Sequence, residues 1–116
     1  MNGFSIFRLM NIESLRDYCI AKPEAEESFP FGEQTLVFKA KGKIFLLASL
    51  DSDPLQFNVK CDPDKAIELR DQYDSVQPGY HMNKKHWNTV IADGSLSNKL
   101  LKEMIDDSYN LVTKKK

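Results

Sequence analysis

The segment from Gln34 to Lys60 constrains the fold most, because it holds three strand-like runs separated by very short connections. The first two runs, Gln34 to Ala40 and Lys43 to Ser49, are rich in Val, Leu, Ile and Phe and are joined by Lys41-Gly42. A two-residue connection of this kind predicts a β-hairpin. The third run, Leu55 to Lys60, alternates apolar and polar residues after an Asp-Ser-Asp-Pro turn. The segment therefore predicts an antiparallel meander.

Helix signals lie on both sides of this meander. Asn11 is a good N-cap for a first helix that runs toward Ala21, and Asp62 followed by proline marks the start of a second. A third helix begins around Ser97, because apolar and small residues then recur at helical spacing. These residues are Leu101, Met104, Ile105, Ser108 and Val112.

A second pair of strands is predicted between the last two helices, at Val76 to Met82 and His86 to Ala92. The acidic stretch Glu24 to Glu27 is predicted to be a solvated loop. The predicted order is therefore α-β(3)-α-β(2)-α. Such an order is typical of a two-layer α+β domain with helices packed on a mainly antiparallel sheet.

Charge and cysteine content narrow the functional classes. The 116 residues suit one domain, and 16 basic against 17 acidic residues give a net charge of −1. No overall field draws such a chain to a polyanion, so any polyanion site must be a local patch. Cys19 and Cys61 are too few and too far apart for a disulfide framework, and Ile44 to Ser49 is too short to span a membrane. We expect a cytoplasmic protein with no membrane partner.

The run from Pro78 to Val90 holds both histidines, the only tryptophan and a lysine pair. In one interpretation it binds nucleic acid, with Lys84, Lys85 and His86 contacting phosphates at a hairpin bend. Amide groups would then face base edges and an aromatic ring would stack on a base. The residues that would do so are Asn83, Asn88, Tyr80 and Trp87.

In the other interpretation the same run is structural. Trp87, Thr89 and Ile91 would form the inward face of a strand, while His81 and Asn83 would hydrogen-bond the backbone around the turn. A cluster of buried Asn and His is often such a polar network. The two interpretations can hold together, because only the lysines need to be exposed.

Three further lysines, Lys39, Lys41 and Lys43, flank the first hairpin. Together with Lys84 and Lys85 they would make two basic hairpin tips. The plainer alternative is that lysines solubilise turns and protect strand edges.

The aromatic pair in Phe29-Pro30-Phe31-Gly32 has two interpretations as well. It could form an exposed ligand patch. We expect instead that both rings cap the open end of the core, while Pro30 fixes the entry into the first strand.

The sequence predicts no enzyme, no metal site and no cofactor. The spacing of His81 and His86 matches no standard zinc motif, and Cys-x-x-Cys, His-Glu-x-x-His and phosphate-loop motifs do not occur. Cys61 beside a helix N-terminus could have a lowered thiol pKa. Structural burial is the alternative that we prefer for this thiol.

With this order of elements the chain resembles the MmcQ/YjbR family, small bacterial domains described as DNA-binding. The resemblance covers Met10 to Val112. The residues that carry it are Met10 to Leu15, Phe29 to Gly32, Asn58 to Pro63, Pro78 to Val90 and Ser108-Tyr109. It implies a fold like that of secretion chaperones, and DNA binding through a winged surface made by strand hairpins. It supplies no catalytic residues.

The resemblance also divides the chain into an N-terminal extension at residues 1–9, a single domain at 10–112 and a basic tail at 113–116. It makes double-stranded DNA the expected partner. The predicted contacts are Lys39, Lys41, Lys43, Asn83, Lys84, Lys85 and His86. A protein- or peptide-binding module or homodimer is the alternative, and a small-molecule site or enzyme using His81 and Cys61 is a third.

Overall fold

The computed structural model describes residues 9–79 and 82–114, which form three helices and a six-stranded antiparallel sheet. Across the sheet the strands follow the order β1-β2-β3-β4-β6-β5. The elements in chain order are α1 (Ile12–Ile20), β1 (Ala25–Ser28), β2 (Thr35–Ala40), β3 (Lys43–Ser49), β4 (Leu55–Lys60), α2 (Pro63–Gln72), β5 (Val76–Pro78), β6 (Trp87–Ala92) and α3 (Asn98–Thr113). The predicted α+β class is confirmed.

The helices begin at the predicted caps. Asn11 and Ser14 form a reciprocal capping box, in which the Ser14 N–H donates to Asn11 Oδ1 at 2.8 Å and the Asn11 N–H donates to Ser14 Oγ at 3.0 Å. The Asp62 carboxylate accepts from the N–H groups of Asp64 and Lys65, and Pro63 occupies the first turn. Each cap satisfies donors that a helix start leaves unpaired.

The hairpin between β2 and β3 turns on Lys41-Gly42. Ala40 pairs with Lys43 across it, and Lys41 and Gly42 have φ values of 54° and 78°. Two consecutive positive φ angles are what a type I′ turn requires, and this turn matches the twist of the flanking strands. The predicted two-residue hairpin is confirmed.

A β-bulge follows this hairpin. Phe38 pairs with Leu46, whereas Lys39 pairs with Ile44, so Phe45 is the extra residue on β3. Phe45 and Leu46 are consequently both buried. The bulge therefore brings an additional aromatic ring into the core.

One hydrophobic core lies between the helices and one face of the sheet. α1 contributes Leu15 and Cys19, α2 contributes Ala66 and Leu69, and α3 contributes its predicted stripe. The predicted stripe of α3 is buried throughout, including Ser108. The other face of the sheet, the open face, is covered by none of the described helices. Its residues include Thr35, Val37, Leu47, Ser49, Gln56, Asn58, Thr89 and Ile91.

The acidic segment predicted to be a loop is in part a strand. Residues Ala25–Ser28 form β1 at the edge of the sheet, with Ala25 opposite Ala40. Glu27 is tied to α1 by an ion pair with Arg16 at 2.6 Å. The loop prediction is wrong because pairing with β2 and anchoring to α1 outweigh the weak strand propensity of Ala-Glu-Glu-Ser.

The predicted inward face of β6 is also wrong. Asn88, Val90 and Ala92 are buried, because Asn88 pairs with Val59 and Val90 with Phe57, both of which face the core. Trp87, Thr89 and Ile91 therefore lie on the other side of the strand. The partner strand β5 ends at Pro78, earlier than predicted.

The expectation that Phe29 and Phe31 cap the core is wrong. Phe29 is 49% and Phe31 is 63% exposed, and both lie in the connection between β1 and β2. None of the described helices combines the length and apolar character needed to cross a membrane. Predictions for residues 1–8, 80, 81, 115 and 116, among them Tyr80 and His81, lie outside the described residues.

Candidate nucleic-acid interface

The two basic hairpin tips lie at the same end of the sheet. Lys60, the last residue of β4, pairs with Trp87, the first of β6, and Pro78 at the end of β5 pairs with Asn88. Because every pair is antiparallel, the β2–β3 turn, the end of β4 and the connection from β5 to β6 share one end. We call its cationic residues the lysine rim: Lys39, Lys41, Lys43, Lys60, Lys84 and Lys85.

Strand order sets the spacing of this rim. The midlines of the two hairpins are three strand spacings apart, or about 14 Å. β4 lies between them, so Lys60 bridges the two tips. Lys60 was not predicted from the sequence, because the order of the strands along the chain does not show that β4 pairs with both β3 and β6.

The opposite end of the sheet is acidic. The connections at that end, at residues 29–34, 50–54, 73–75 and 93–97, contain no Lys or Arg. They carry exposed carboxylates that we call the acidic rim: Glu33, Asp51, Asp53, Asp74 and Asp93. The net charge of −1 therefore conceals a segregated distribution of charge.

Some carboxylates do lie near the lysine rim. Glu26 is opposite Lys39 on the neighbouring strand, and Lys39 is half-buried. Asp62 is occupied as the N-cap of α2. The exposed cations of the rim are thus those on the two turns themselves, Lys41, Lys43, Lys84 and Lys85.

Local hydrogen bonds hold Lys84 and Lys85 on a tight turn. The carbonyl of Asn83 accepts from the N–H groups of His86 and Trp87 at 3.1 and 3.0 Å. The side-chain oxygen of Asn83 accepts from the Lys85 N–H at 2.9 Å. The prediction that Asn83 bonds the backbone is confirmed, and the turn presents both lysines to solvent.

A close backbone approach fixes the base of this turn. The Gly79 N–H donates to the Trp87 carbonyl at 2.9 Å. A Cβ on Gly79 would lie 3.0 Å from the Trp87 Cβ, closer than real Cβ atoms normally come. Glycine at this position therefore lets β5 and β6 approach where the loop leaves the sheet.

Two of the other predicted residues are less exposed than the lysines of the turn. Asn88 is 1% exposed, so its amide is not available to base edges and that interpretation is wrong. Its Nδ2 donates weakly to the Ala66 carbonyl at 3.5 Å, while its Oδ1 has no hydrogen-bond partner among the described residues. His86 is half-buried and its carbonyl accepts from the Cys61 N–H at 2.7 Å.

Other cations of the molecule serve as structural partners. Lys22 pairs with Asp106 at 2.5 Å and Lys65 with Asp107 at 2.6 Å, which ties segments near α1 and α2 to α3. Within residues 9–79 and 82–114, Lys41, Lys43 and Lys85 take part in no such ion pair. Their charges are available to an external ligand.

Both thiols are buried and free. Burial raises the pKa of the Cys19 thiol to about 12, and burial likewise raises the pKa of Cys61. A lowered pKa at Cys61 is therefore wrong, because loss of solvent outweighs the nearby Lys65 charge. A cleft of about 300 Å³ beside Cys61 is lined in part by the ion-paired Lys65 and Asp107. In the described part of the chain no three His, Cys, Asp or Glu residues cluster as metal ligands do.

Comparison with known proteins places these features in a family. The YjbR family model matches residues 20–111. The protein YbdF of Escherichia coli O157:H7 is 42% identical over 100 residues, which cover 86% of this chain and 82% of YbdF. The protein YjbR of Escherichia coli K12 is 35% identical over 100 residues, which cover 86% and 85%.

Two crystal structures share the fold. The protein DR2400 of Deinococcus radiodurans has a TM-score of 0.87 at 43% identity, with 92% of this chain and 81% of that chain covered. A protein from Pseudomonas syringae has a TM-score of 0.76 at 27% identity, with 89% and 99% covered.

Proposed function

This chain belongs to the YjbR family, and from that premise we propose that it is a non-enzymatic binding module whose lysine rim binds double-stranded DNA. The observation that carries the proposal is the convergence of two lysine-bearing turns at one end of the sheet. The acidic rim at the other end accounts for a near-neutral chain that still offers a cationic surface.

The dimensions of the rim suit a duplex. Its two turns are about 14 Å apart, comparable to the major-groove width of about 12 Å. The turns can therefore contact phosphates of the two strands that border one groove. Lys60 lies between them, where it adds positive potential over the groove.

The hydrogen bonds of the turn favour phosphate contacts over base reading. A bidentate contact from Asn to adenine needs both the oxygen and the NH₂ of the amide. The Asn83 oxygen accepts from the Lys85 N–H, which holds the amide group against its own turn and restricts its orientation toward a base. We therefore expect binding that is largely independent of sequence and driven by release of counterions.

Salt dependence tests this proposal. Four phosphate contacts, one for each exposed rim lysine, give a slope of about −3.6 for log affinity against log salt concentration. The measurement is fluorescence anisotropy of a labelled random duplex between about 50 and 200 mM salt. A failure to bind at the lower salt concentration would overturn the proposal.

The variant Lys84→Ala/Lys85→Ala locates the interface. It removes two phosphate contacts, so it should weaken binding and flatten the slope by about 1.8. The matched control is Lys99→Ala/Lys102→Ala, which removes two exposed lysines from the helix layer. Equal effects of the two double variants would contradict the assignment of the lysine rim.

A further inference from the structure

The open face of the sheet has an uncharged centre. Val37 is fully buried there, and the accessible apolar side chains are those of Leu47 and Ile91, which lie among hydroxyl and amide side chains. Thr89 Oγ1 donates to Asn58 Oδ1 at 2.5 Å, so part of this polar surface is already paired. The charged residues of this face in the described chain are Glu26, Lys39 and Lys60, all toward its lysine-rim end. Such a surface resembles the core of an interface more than a solvated one.

A groove of about 440 Å³ crosses this face. Leu47, Asn58 and Thr35 line it, and Phe31 and Met82 line it from outside the sheet. The Phe31 residue is 63% exposed and adjoins this groove, so its apolar surface is continuous with that of the groove, and contiguous apolar surface of this kind marks interaction sites. The groove and the ring together supply a pocket and an anchor on the same surface, as a self-complementary interface requires.

The size of the face suits a second sheet. Six strands at about 4.8 Å spacing and about five residues long give roughly 500 Å² of flat area. The accessible area of an uneven surface exceeds its flat projection, and a standard interface buries about 800 Å² on each partner. The face together with the flanking Phe31 and Met82 is therefore of the same order as one partner's share of a standard interface.

The charge distribution selects one orientation. Two identical sheets can stack about a two-fold axis that runs along the strands or across them. An axis along the strands would bring lysine rim against lysine rim, which is repulsive. An axis across the strands places each lysine rim beside the acidic rim of the other copy.

We propose that the open face is the interface of a homodimer, with its two-fold axis running across the strands. Leu47, Ile91 and Phe31 of one copy then pack against the same face of the other. The lysine and acidic rims meet at both ends of the interface. This inference rests on the open face and on the charges at both ends of the sheet, and in the dimer the acidic rim of the other copy competes with phosphates for the same rim lysines.

The test is sedimentation equilibrium of the full chain from about 1 to 500 µM, which spans the weak end expected for an interface of this size. The expected result is a shift from 13.3 kDa toward twice that mass as concentration rises. Phe31→Ser, at an exposed position, should weaken dimerisation at least about tenfold. A mass of 13.3 kDa at every concentration would overturn the proposal.

The control is Ile67→Ser, which removes a 54% exposed apolar side chain from α2 on the helix layer. It should leave the dimer constant unchanged, and a loss equal to that of Phe31→Ser would overturn the proposed face. Orientation has its own test. Asp51→Lys/Asp53→Lys should weaken the dimer, and adding Lys41→Glu/Lys43→Glu should restore it. A further loss in the combined variant would overturn the axis across the strands.

Discussion

Ser108 explains how a hydroxyl can belong to the buried stripe of α3. Its Oγ donates to the Phe45 carbonyl at 2.6 Å and accepts from the Lys60 N–H at 2.9 Å. The β-bulge at Phe45 disrupts regular pairing, and Lys60 ends its strand, so both backbone groups need a partner. One side chain therefore satisfies two strands at once.

Removal of this hydroxyl should lower the stability of the fold. Ser108→Ala leaves a buried carbonyl and a partly buried N–H unpaired, which should lower the free energy of unfolding by about 2 kcal/mol. Urea unfolding followed by circular dichroism measures the change. Ser52→Ala is the control, because Ser52 makes a single long bond of 3.3 Å and should change stability by less than about 0.5 kcal/mol. An equal loss of unfolding free energy in the two variants would contradict a special contribution from the two hydrogen bonds of Ser108.

At the scale of the element, the β2–β3 hairpin carries a lysine at a turn position where another residue would be more stable. Lys41 adopts a φ of 54°, where residues other than Gly, Asn and Asp are disfavoured by roughly 1 kcal/mol. Asn is well suited to the first position of a type I′ turn and Lys is not. A strained cation at a hairpin tip is the arrangement expected where the charge itself has a role.

Lys41→Asn should therefore separate stability from binding. The free energy of unfolding should rise by about 0.5–1 kcal/mol, because Asn accommodates the positive φ. The DNA salt slope should flatten by about 0.9, because one phosphate contact is lost. Urea unfolding and duplex anisotropy measure the two effects, and Lys99→Asn is the control away from the rim. A variant that is both less stable and equally salt-dependent would refute the argument.

Elements with strong local signals were predictable from sequence. The Lys41-Gly42 turn, the Asn11 and Asp62 caps and the α3 stripe all follow from propensities that act within a few residues. β1 was not predictable, because its pairing with β2 is a tertiary effect. The phase of β6 failed because its two faces are both partly covered, so alternation alone does not identify the core side.

The candidate site was predictable only in its parts. The lysine-bearing turns were visible in the sequence, and the structure adds their placement at one end of the sheet. Lys60 joins them only because β4 separates β3 from β6 in the strand order. The exposure of Phe31 was not predicted, since the sequence pattern of an aromatic residue beside proline is equally compatible with a buried and an exposed position. Long-range strand order, and not residue type, determines which side chains converge.

The stability of the whole molecule should fall in acid. A hydrogen bond from Arg16 lowers the pKa of Glu27, and hydrogen bonds from Ser95 lower the pKa of Asp93. Burial acts to raise the pKa of Asp106, but hydrogen bonds from Lys22 and Tyr18 outweigh it and the pKa is lowered. A carboxylate with a lowered folded-state pKa stabilises the fold above its unfolded pKa, and this contribution is lost as pH falls through the folded value.

We therefore expect urea midpoints that change little from about pH 7 to 5 and fall steadily below about pH 4. Asp106→Asn should lower the midpoint at neutral pH and reduce the acid-induced fall, because it removes one of the titrating groups. Asp17→Asn is the control, since Asp17 is exposed and forms no ion pair with any residue that the structure describes. An acid-induced fall of identical size in Asp106→Asn and the unaltered chain would contradict this account.

The separation of the two rims gives the molecule a permanent electric dipole along its strands. A polyanion therefore exerts a torque on the protein even though its net charge is only −1. Within a Debye length, about 10 Å at 0.1 M salt, a tumbling molecule is turned so that its lysine end arrives first. Salt then shortens the range over which the molecule is turned. The association rate constant should consequently fall as ionic strength rises, because salt acts on the approach of the two molecules and not only on their final contacts.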